Sequence, residues 1–475
     1  MKATISLVHI SDPSVFGNPL ALGYLKTYSD AALGDRVCSR ILELPIAASL
    51  KDPDRAAAAI LSKKPDIVGF SCYLWNIDAV IAVSKALKKK KPSVRIVLGG
   101  PDASGRGAAV VRDSGCDILV CGEGELTFAE LLERFLSGRP WAGTPGTVCL
   151  RGGEPVQGPP RENILDLEKI PSPYLSGIFE GKEYHHWVFE TARGCPFKCA
   201  FCVWTTKGKP RYFSTARAAA EAAWMAARAP LPQKNSTNSS SQTVFLADQD
   251  LLMSGARALK IILAMRSSSK GRSLLWVINS NVNFWTPELA AALNSACFEV
   301  NLGVESVNPA ILKALGRNPP SLARISAGLA LLNKFAPEAS LRFQLMLGLP
   351  GDSRKGFLAS LRWALDACAA AQLNPVAAFV APARMGDLVK YGFGRPLRAA
   401  VEVFHVSVFP GSRFEKDAGG LGITWGKEAP YPVLTAKGLT AGDLDACYEA
   451  LDAIGEVTRR ICGQPLVMYR DNRGV

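Results

Sequence analysis

Short apolar runs alternate with longer amphipathic stretches through the first quarter of the chain. The runs at 3–9, 37–44, 67–71, 95–98 and 117–120 predict strands, and the stretches at 20–28, 53–61, 78–89, 107–113 and 126–136 carry helical periodicity. Short apolar strands alternating with helices of this length predict an α/β fold, a doubly wound parallel sheet with helices on both faces. Ligands of such sheets lie beyond the carboxyl ends of the strands.

Residues 141–185 break the alternation and are rich in Gly and Pro, which predicts an extended, exposed linker. Alternation then resumes, with strands at 187–191, 243–247, 274–278, 299–304, 341–347 and 376–380. Helical stretches lie at 216–229, 256–266, 287–296, 309–315, 322–335 and 356–370. The polar run 233–241 lacks periodicity and reads as a surface insertion. Beyond 384 the βα pattern fades. The expected organisation is 1–140, a Rossmann-like domain; 141–185, a linker; 186–383, a second βα domain; and 384–475, a C-terminal region.

Composition narrows the classes. The chain has 475 residues, 48% hydrophobic and 20% charged, so a sizeable core forms and disorder is not the default. Its N-terminus lacks the apolar stretch of a signal peptide, and no apolar segment is long enough to span a bilayer. A soluble, cytoplasmic protein without membrane contact is expected. A net charge of +13 favours phosphate-bearing ligands in principle, yet the densest run, Lys88 to Lys91, closes a predicted helix, where cations complement the dipole. No aromatic-interleaved basic stripe appears, so no specific nucleic acid partner is expected. Of 12 cysteines, nine (Cys38, Cys72, Cys116, Cys121, Cys149, Cys297, Cys368, Cys447 and Cys462) are scattered and read as reduced core residues.

The other three stand together, in Arg193-Gly194-Cys195-Pro196-Phe197-Lys198-Cys199-Ala200-Phe201-Cys202, directly after the first strand of the second domain. Three thiolates so close in sequence repel unless a cation holds them, so C-x3-C-x2-C reads as a metal site. Closed four-ligand sites carry a fourth Cys or His nearby, and none follows here at short range. Three ligands leave one iron of a four-iron cluster open.

The loop closely resembles that of radical S-adenosylmethionine (SAM) enzymes, in which the open iron chelates SAM. The resemblance implies a [4Fe-4S] cluster on Cys195, Cys199 and Cys202, with Phe201 near the adenine. It also implies that the second domain is a partial (β/α)6 barrel with its site at the strand carboxyl ends. SAM-contact candidates at those ends are Asp248 and Asp250, which stand where relatives often carry G-G-E, then Ser280, Asn281, Glu305, Ser306, Gly348 and Asp352. Each polar one is equally suited to capping the following helix.

The first domain resembles the cobalamin-binding domain found ahead of many radical SAM domains. The rim residues that carry this resemblance are Ser71, Trp75 and Asn76, Gly99 and Gly100, and Gly122, Glu123 and Gly124. The 11–17 loop contains no histidine, unlike the D-x-H-x-x-G of other cobalamin proteins, and His9 reads as a core residue. In the tail, Arg384, Tyr391, Arg395 and His405 are candidates for substrate contact.

The resemblance implies a cobalamin-dependent radical SAM enzyme, most simply a C-methyltransferase acting on an unactivated carbon. An electron donor such as flavodoxin or ferredoxin and a small-molecule or peptide substrate are its implied partners. A non-methylating rearrangement or cyclisation is the alternative. An RNA-modifying methylthiotransferase would carry a second cysteine trio, which the spacing of the first-domain cysteines does not provide.

Overall fold

Capping signals at the βα turns set where helices start. Asp52 accepts from the Arg55 amide ahead of Pro53, Thr286 from Leu289 ahead of Pro287, and Ser214 and Ser321 from residues three further on. The computed structural model describes residues 2–12, 17–203, 208–231, 242–318, 320–370, 375–377, 379–380, 399–462 and 467–468. They form two units, the first reaching to Tyr184 and the second starting at His185.

The first unit runs β1 (Ala3–Ser11), α1 (Leu20–Leu33), β2 (Val37–Pro45), α2 (Ile46–Lys51), α3 (Pro53–Leu61), β3 (Ile67–Ser71) and α4 (Ile77–Lys90). It continues through β4 (Arg95–Gly99), α5 (Pro101–Arg106), α6 (Ala108–Ser114), β5 (Ile118–Val120), α7 (Glu125–Leu136), β6 (Thr147–Arg151) and β7 (Glu154–Gln157). The sheet order is β2-β1-β3-β4-β5-β6-β7, parallel through β5. Strand order reverses between β1 and β3, which marks their carboxyl ends as the ligand crevice. Two of the lysines closing α4 pair within the unit: Lys88 bonds the Val94 carbonyl and Asp117, each at 2.7 Å, and exposed Lys90 pairs with Asp54 at 2.9 Å.

The expected linker is corrected here. Residues 147–157 form an antiparallel hairpin that extends the first sheet, turning at Gly152 and Gly153, whose φ values are +60° and +87°. Two glycines between short strands are a hairpin signal, because such a turn needs positive φ at both central positions. Farther on, Leu167, Ile170, Tyr174 and Phe179 are buried rather than exposed.

His9 is buried on β1, and burial lowers its pKa from 6.5 to about 4, against the opposing effects of Glu43 and the Gly17 backbone. The unfolded chain therefore binds one more proton than the folded one between those two pH values. Stability of the apo-protein is expected to fall as pH drops through that window, by about 3 kcal/mol in all from this residue. Urea unfolding of the wild type and His9→Leu at pH 7 and pH 4.5 checks it: the variant should lose that part of the pH dependence.

The second unit contains β8 (His186–Phe189), β9 (Ala192–Arg193), β10 (Arg211–Tyr212), α8 (Thr215–Arg228), β11 (Gln242–Leu246), α9 (Ala256–Ser268) and β12 (Leu274–Ser280). Then come α10 (Pro287–Ala292), β13 (Phe298–Glu305), α11 (Pro309–Ala314), α12 (Leu322–Phe335), β14 (Ser340–Leu347) and α13 (Arg354–Ala370). After β15 (Pro375–Ala377) and β16 (Phe379–Val380) follow β17 (Ala399–His405), α14 (Arg413–Lys416), β18 (Thr424–Trp425), β19 (Val433–Thr435), α15 (Ala441–Cys462) and β20 (Val467–Met468). The main sheet has the order β15-β17-β14-β13-β12-β11-β8 and is parallel throughout.

The strand read at 376–380 is therefore not the neighbour of β14. That place belongs to β17, from the region read as tail, and β15 pairs on its far side. The physical reason is burial of charge: Glu402 on β17 meets Arg342 and Gln344 of β14, contacts that no apolar pattern announces. The run 233–241, all of 381–398 with Arg384, Tyr391 and Arg395, and Cys462 beyond its helix assignment lie outside what the structure describes.

Candidate active site

The cysteine loop leaves the sheet after β8 and is closed at its neck by the antiparallel pair β9–β10. Gly194 holds φ +104°, and a Cβ there would lie 2.9 Å from the Lys209 carbonyl, so the neck requires glycine. The Gly208 amide donates to the Cys195 carbonyl at 3.1 Å and that of Phe213 to Thr191 at 3.1 Å.

Asp248 fixes the loop entry from within. Its Oδ1 accepts from the Thr191 amide at 2.6 Å and the Ala192 amide at 3.0 Å, and Oδ2 accepts from the Thr191 hydroxyl. Arg257 adds bonds to the carbonyls of Thr191 and Phe213, at 2.7 and 3.0 Å. Asp248→Ala would leave two buried amides unpaired, an expected loss of about 2–4 kcal/mol in urea unfolding. Lower iron retention should accompany it.

The far side of the loop is held by other elements. The Ala200 amide donates to the Leu315 carbonyl at 2.8 Å, and the Phe414 amide to Ala200 at 3.3 Å. Phe201 packs edge-on against buried Phe414, ring centroids 6.2 Å apart, within an apolar cluster that includes Leu312, Leu315 and Val408. Phe201 thus faces the C-terminal region, a partner sequence reasoning did not give it.

Arg317 stands at the centre of the arrangement, and sequence reading missed it. Its guanidinium pairs with Glu305 at 3.1 Å, donates to the Gly303 carbonyl at 2.9 Å, and hydrogen-bonds Cys199 beside Cys195. Burial would lower its pKa, but Glu305 and the two thiols more than offset that and hold it up, so the cation persists. Glu305 ends β13 with φ +58°, an unfavourable conformation for a non-glycine residue, which folds its carboxylate back over Gly303. Asp250 lies close to Cys195; burial pushes its pKa up to about 7 against the opposing amides of Asn281, Met253 and Leu252 and the charge of Arg317.

The remaining candidates spend their polar atoms on neighbours. Ser280 accepts from Trp285 Nε1 at 2.9 Å, Asn281 caps the turn at Asn283, and the Ser306 hydroxyl accepts from the Asn308 amide at 3.2 Å. Gly348 packs beside His405 and Val433, while the Asp352 turn is tied to Lys437 through Gly351 at 2.6 Å. His405 bonds the Val433 carbonyl through Nε2 at 2.7 Å and Tyr448 through Nδ1, which makes it a pin between strand and tail.

In the first unit Asn76 sits at the switch point. Its Nδ2 donates to the carbonyls of Ile10 on β1 and Ser71 on β3, both at 3.0 Å, and Oδ1 accepts from the Tyr73 amide at 2.8 Å. Gly100 has φ +108°, and its Cβ would lie 2.4 Å from the Cys72 carbonyl, so it lets two strand ends meet rather than a ligand approach. Trp75 stacks on Tyr73 at 4.5 Å with planes 1° apart, both half-buried. Exposed Gly122 has open space where a side chain would stand, next to half-buried Glu123 and Gly124.

Family models match both units: a B12 binding domain over residues 14–132 and the radical SAM superfamily over residues 189–364. The chain thus carries a B12 binding domain followed by a radical SAM domain. It is 34% identical over 223 residues, 44% of this chain and 32% of the relative, to the cobalamin-dependent radical SAM methyltransferase TokK of Streptomyces tokunonensis. It is 30% identical over 364 residues to 2-(S-pantetheinyl)-carbapenam-3-carboxylate methyltransferase of Streptantibioticus cattleyicolor, covering 71% of this chain and 50% of that one. The chain thus spans only a third to a half of these curated relatives. The solved structure of the radical SAM methyltransferase TsrM from Kitasatospora setae, with cobalamin and [4Fe-4S] cluster bound, superposes with TM-score 0.69 at 16% identity, covering 100% of this chain and 92% of that one. That likeness supports the fold, a doubly wound sheet followed by a partial barrel. No described helix is long and apolar enough to cross a membrane.

Proposed function

We propose that the protein is a cobalamin-dependent radical SAM methyltransferase that acts on an unactivated carbon of a small-molecule or peptide substrate. The observation that carries the proposal is the cysteine loop, held from both sides and set against the buried Arg317–Glu305 pair, in one chain with a B12 binding domain.

The donor set fits a cluster with an open iron: three thiols on one loop, two of them beside a guanidinium. Cys195, Cys199 and Cys202 would hold it. Glu305 Oε2 and Arg317 Nε are buried without a hydrogen-bond partner, one anionic and one cationic, as the ammonium and carboxylate of SAM require. The rim of the first unit, with Ser71, Gly99, Gly122 and the Tyr73–Trp75 stack, would hold cobalamin. Bound together, these groups would supply reductive SAM cleavage and a transferable methyl group, with the electron coming from a flavodoxin- or ferredoxin-type donor. Asp248 and Arg257 keep the loop in register, and the apolar cluster around Phe414 shields its far side from water.

The test is product analysis of the anaerobically reconstituted enzyme with SAM and reductant. Methyl transfer consumes SAM by two routes, so both S-adenosylhomocysteine and 5′-deoxyadenosine are expected. 5′-Deoxyadenosine alone would favour a cyclisation or rearrangement instead.

A further inference from the structure

Helices cover one face of the second sheet. Trp187 meets Trp224 of α8 at 5.4 Å, Trp276 Nε1 donates to Ser269 beside α9 at 2.7 Å, and Phe343 meets Trp363 of α13 at 6.2 Å. The alternate residues point to the inner face, and Val188, Phe245, Asn279, Gly303, Arg342 and Gln344 there are only half-buried. A closed barrel fills this space with branched apolar side chains. Here Glu299, Asn301 and Glu402 join Arg342 and Gln344 instead.

The charged members satisfy one another. Arg342 reaches Glu299 at 2.7 Å and Glu402 at 3.7 Å, and Glu402 accepts from Gln344 at 3.0 Å. The neighbouring amides are held only by long bonds, and one of their oxygens has no donor. Asn301 Nδ2 reaches Asn279 Oδ1 only at 3.5 Å, and Asn279 Nδ2 reaches the Asp248 carbonyl only at 3.5 Å. Asn301 is 6% exposed, and its Oδ1 accepts nothing. A buried amide oxygen without a donor is a standing cost that a ligand N–H would relieve.

We propose that Asn279 and Asn301, paired across β12 and β13, hold a secondary-amide arm of the substrate. This rests on the reading that the second unit acts on a small-molecule or peptide substrate. The two asparagine side chains each carry a donor and an acceptor side by side, the complement of an amide. An anionic arm is disfavoured, because Glu299, Glu305 and Glu402 outnumber Arg317 and Arg342 around this face. An apolar arm would leave the amides unpaired. A peptide backbone and a pantetheine-type chain share this chemistry.

The test is a binding titration on the reconstituted, cobalamin-loaded protein with SAM and no reductant. The probes are S-methylpantetheine and N-acetyl-alanyl-alanine methylamide. One of them is expected to bind, and to bind about tenfold more weakly or worse in Asn301→Leu and in Asn279→Leu, each checked for folding by its melting temperature. The probe that binds identifies the source of the arm. Binding of neither probe, or binding unchanged in both variants, overturns the proposal. So does a parallel loss of SAM affinity, which would assign the amides to the cofactor. Because the readout is binding, such a failure leaves the methyltransferase reading standing, and a non-methylating enzyme would still give the expected titration.

Discussion

Cys199→Ala is expected to reduce 5′-deoxyadenosine formation from SAM to background and to cut bound iron well below the wild-type content. Cys199 is buried in the middle of the loop, and the loop's position depends on backbone bonds that alanine keeps: Ala200 to Leu315, Phe414 to Ala200, and the β9–β10 neck. The substitution therefore removes a ligand and the thiol's bond to Arg317 while leaving the backbone supports in place, with a stability cost of about 1–2 kcal/mol. Cys447→Ala provides the contrast. That cysteine is buried on α15, where burial pushes its thiol up to about 11, and its loss should change neither iron nor cleavage. Iron analysis and chromatography of both variants decide the matter. Retained iron and cleavage in Cys199→Ala would remove the basis for a cluster at this loop.

The sequence disclosed what is local. Strands β1, β3, β4 and β5 are buried on both faces, so an apolar run identifies them, and the cysteine loop is legible because its three ligands share one short loop. Groups that act by closing long loops were not legible. Asp248 looks like a ligand candidate in sequence, yet its oxygens are taken by Thr191 and Ala192, 57 and 56 residues away. Arg317 gave almost no signal, because a cation after a helix is usually solvated; only the fold brings it under Cys199 and Glu305. β17 escaped notice for the same reason. Its Glu402 interrupts the apolar pattern, and the charge it pairs with lies on another strand. The sheet's inner polar face is likewise spread over β12, β13, β14 and β17, so no window of sequence contains it.

The Arg317–Glu305 pair allows structural and functional roles to be separated. Arg317→Met leaves the Glu305 carboxylate buried beside a methionine, and breaking a buried pair from one side costs about 3–5 kcal/mol. Apo-protein stability in urea should fall by that order. Arg317→Met/Glu305→Gln removes both charges, and stability should return to within about 1 kcal/mol of wild type, since the desolvation cost disappears with the ions. SAM cleavage should behave differently. If the guanidinium orients Cys199 and meets the amino-acid end of SAM, the single and double variants both lose about 10–100-fold in 5′-deoxyadenosine formation. Stability regained without activity assigns the pair to the reaction. Stability and activity regained together would make Arg317 a tie between β13 and the turn after α11, and the site would then rest on the cysteines alone.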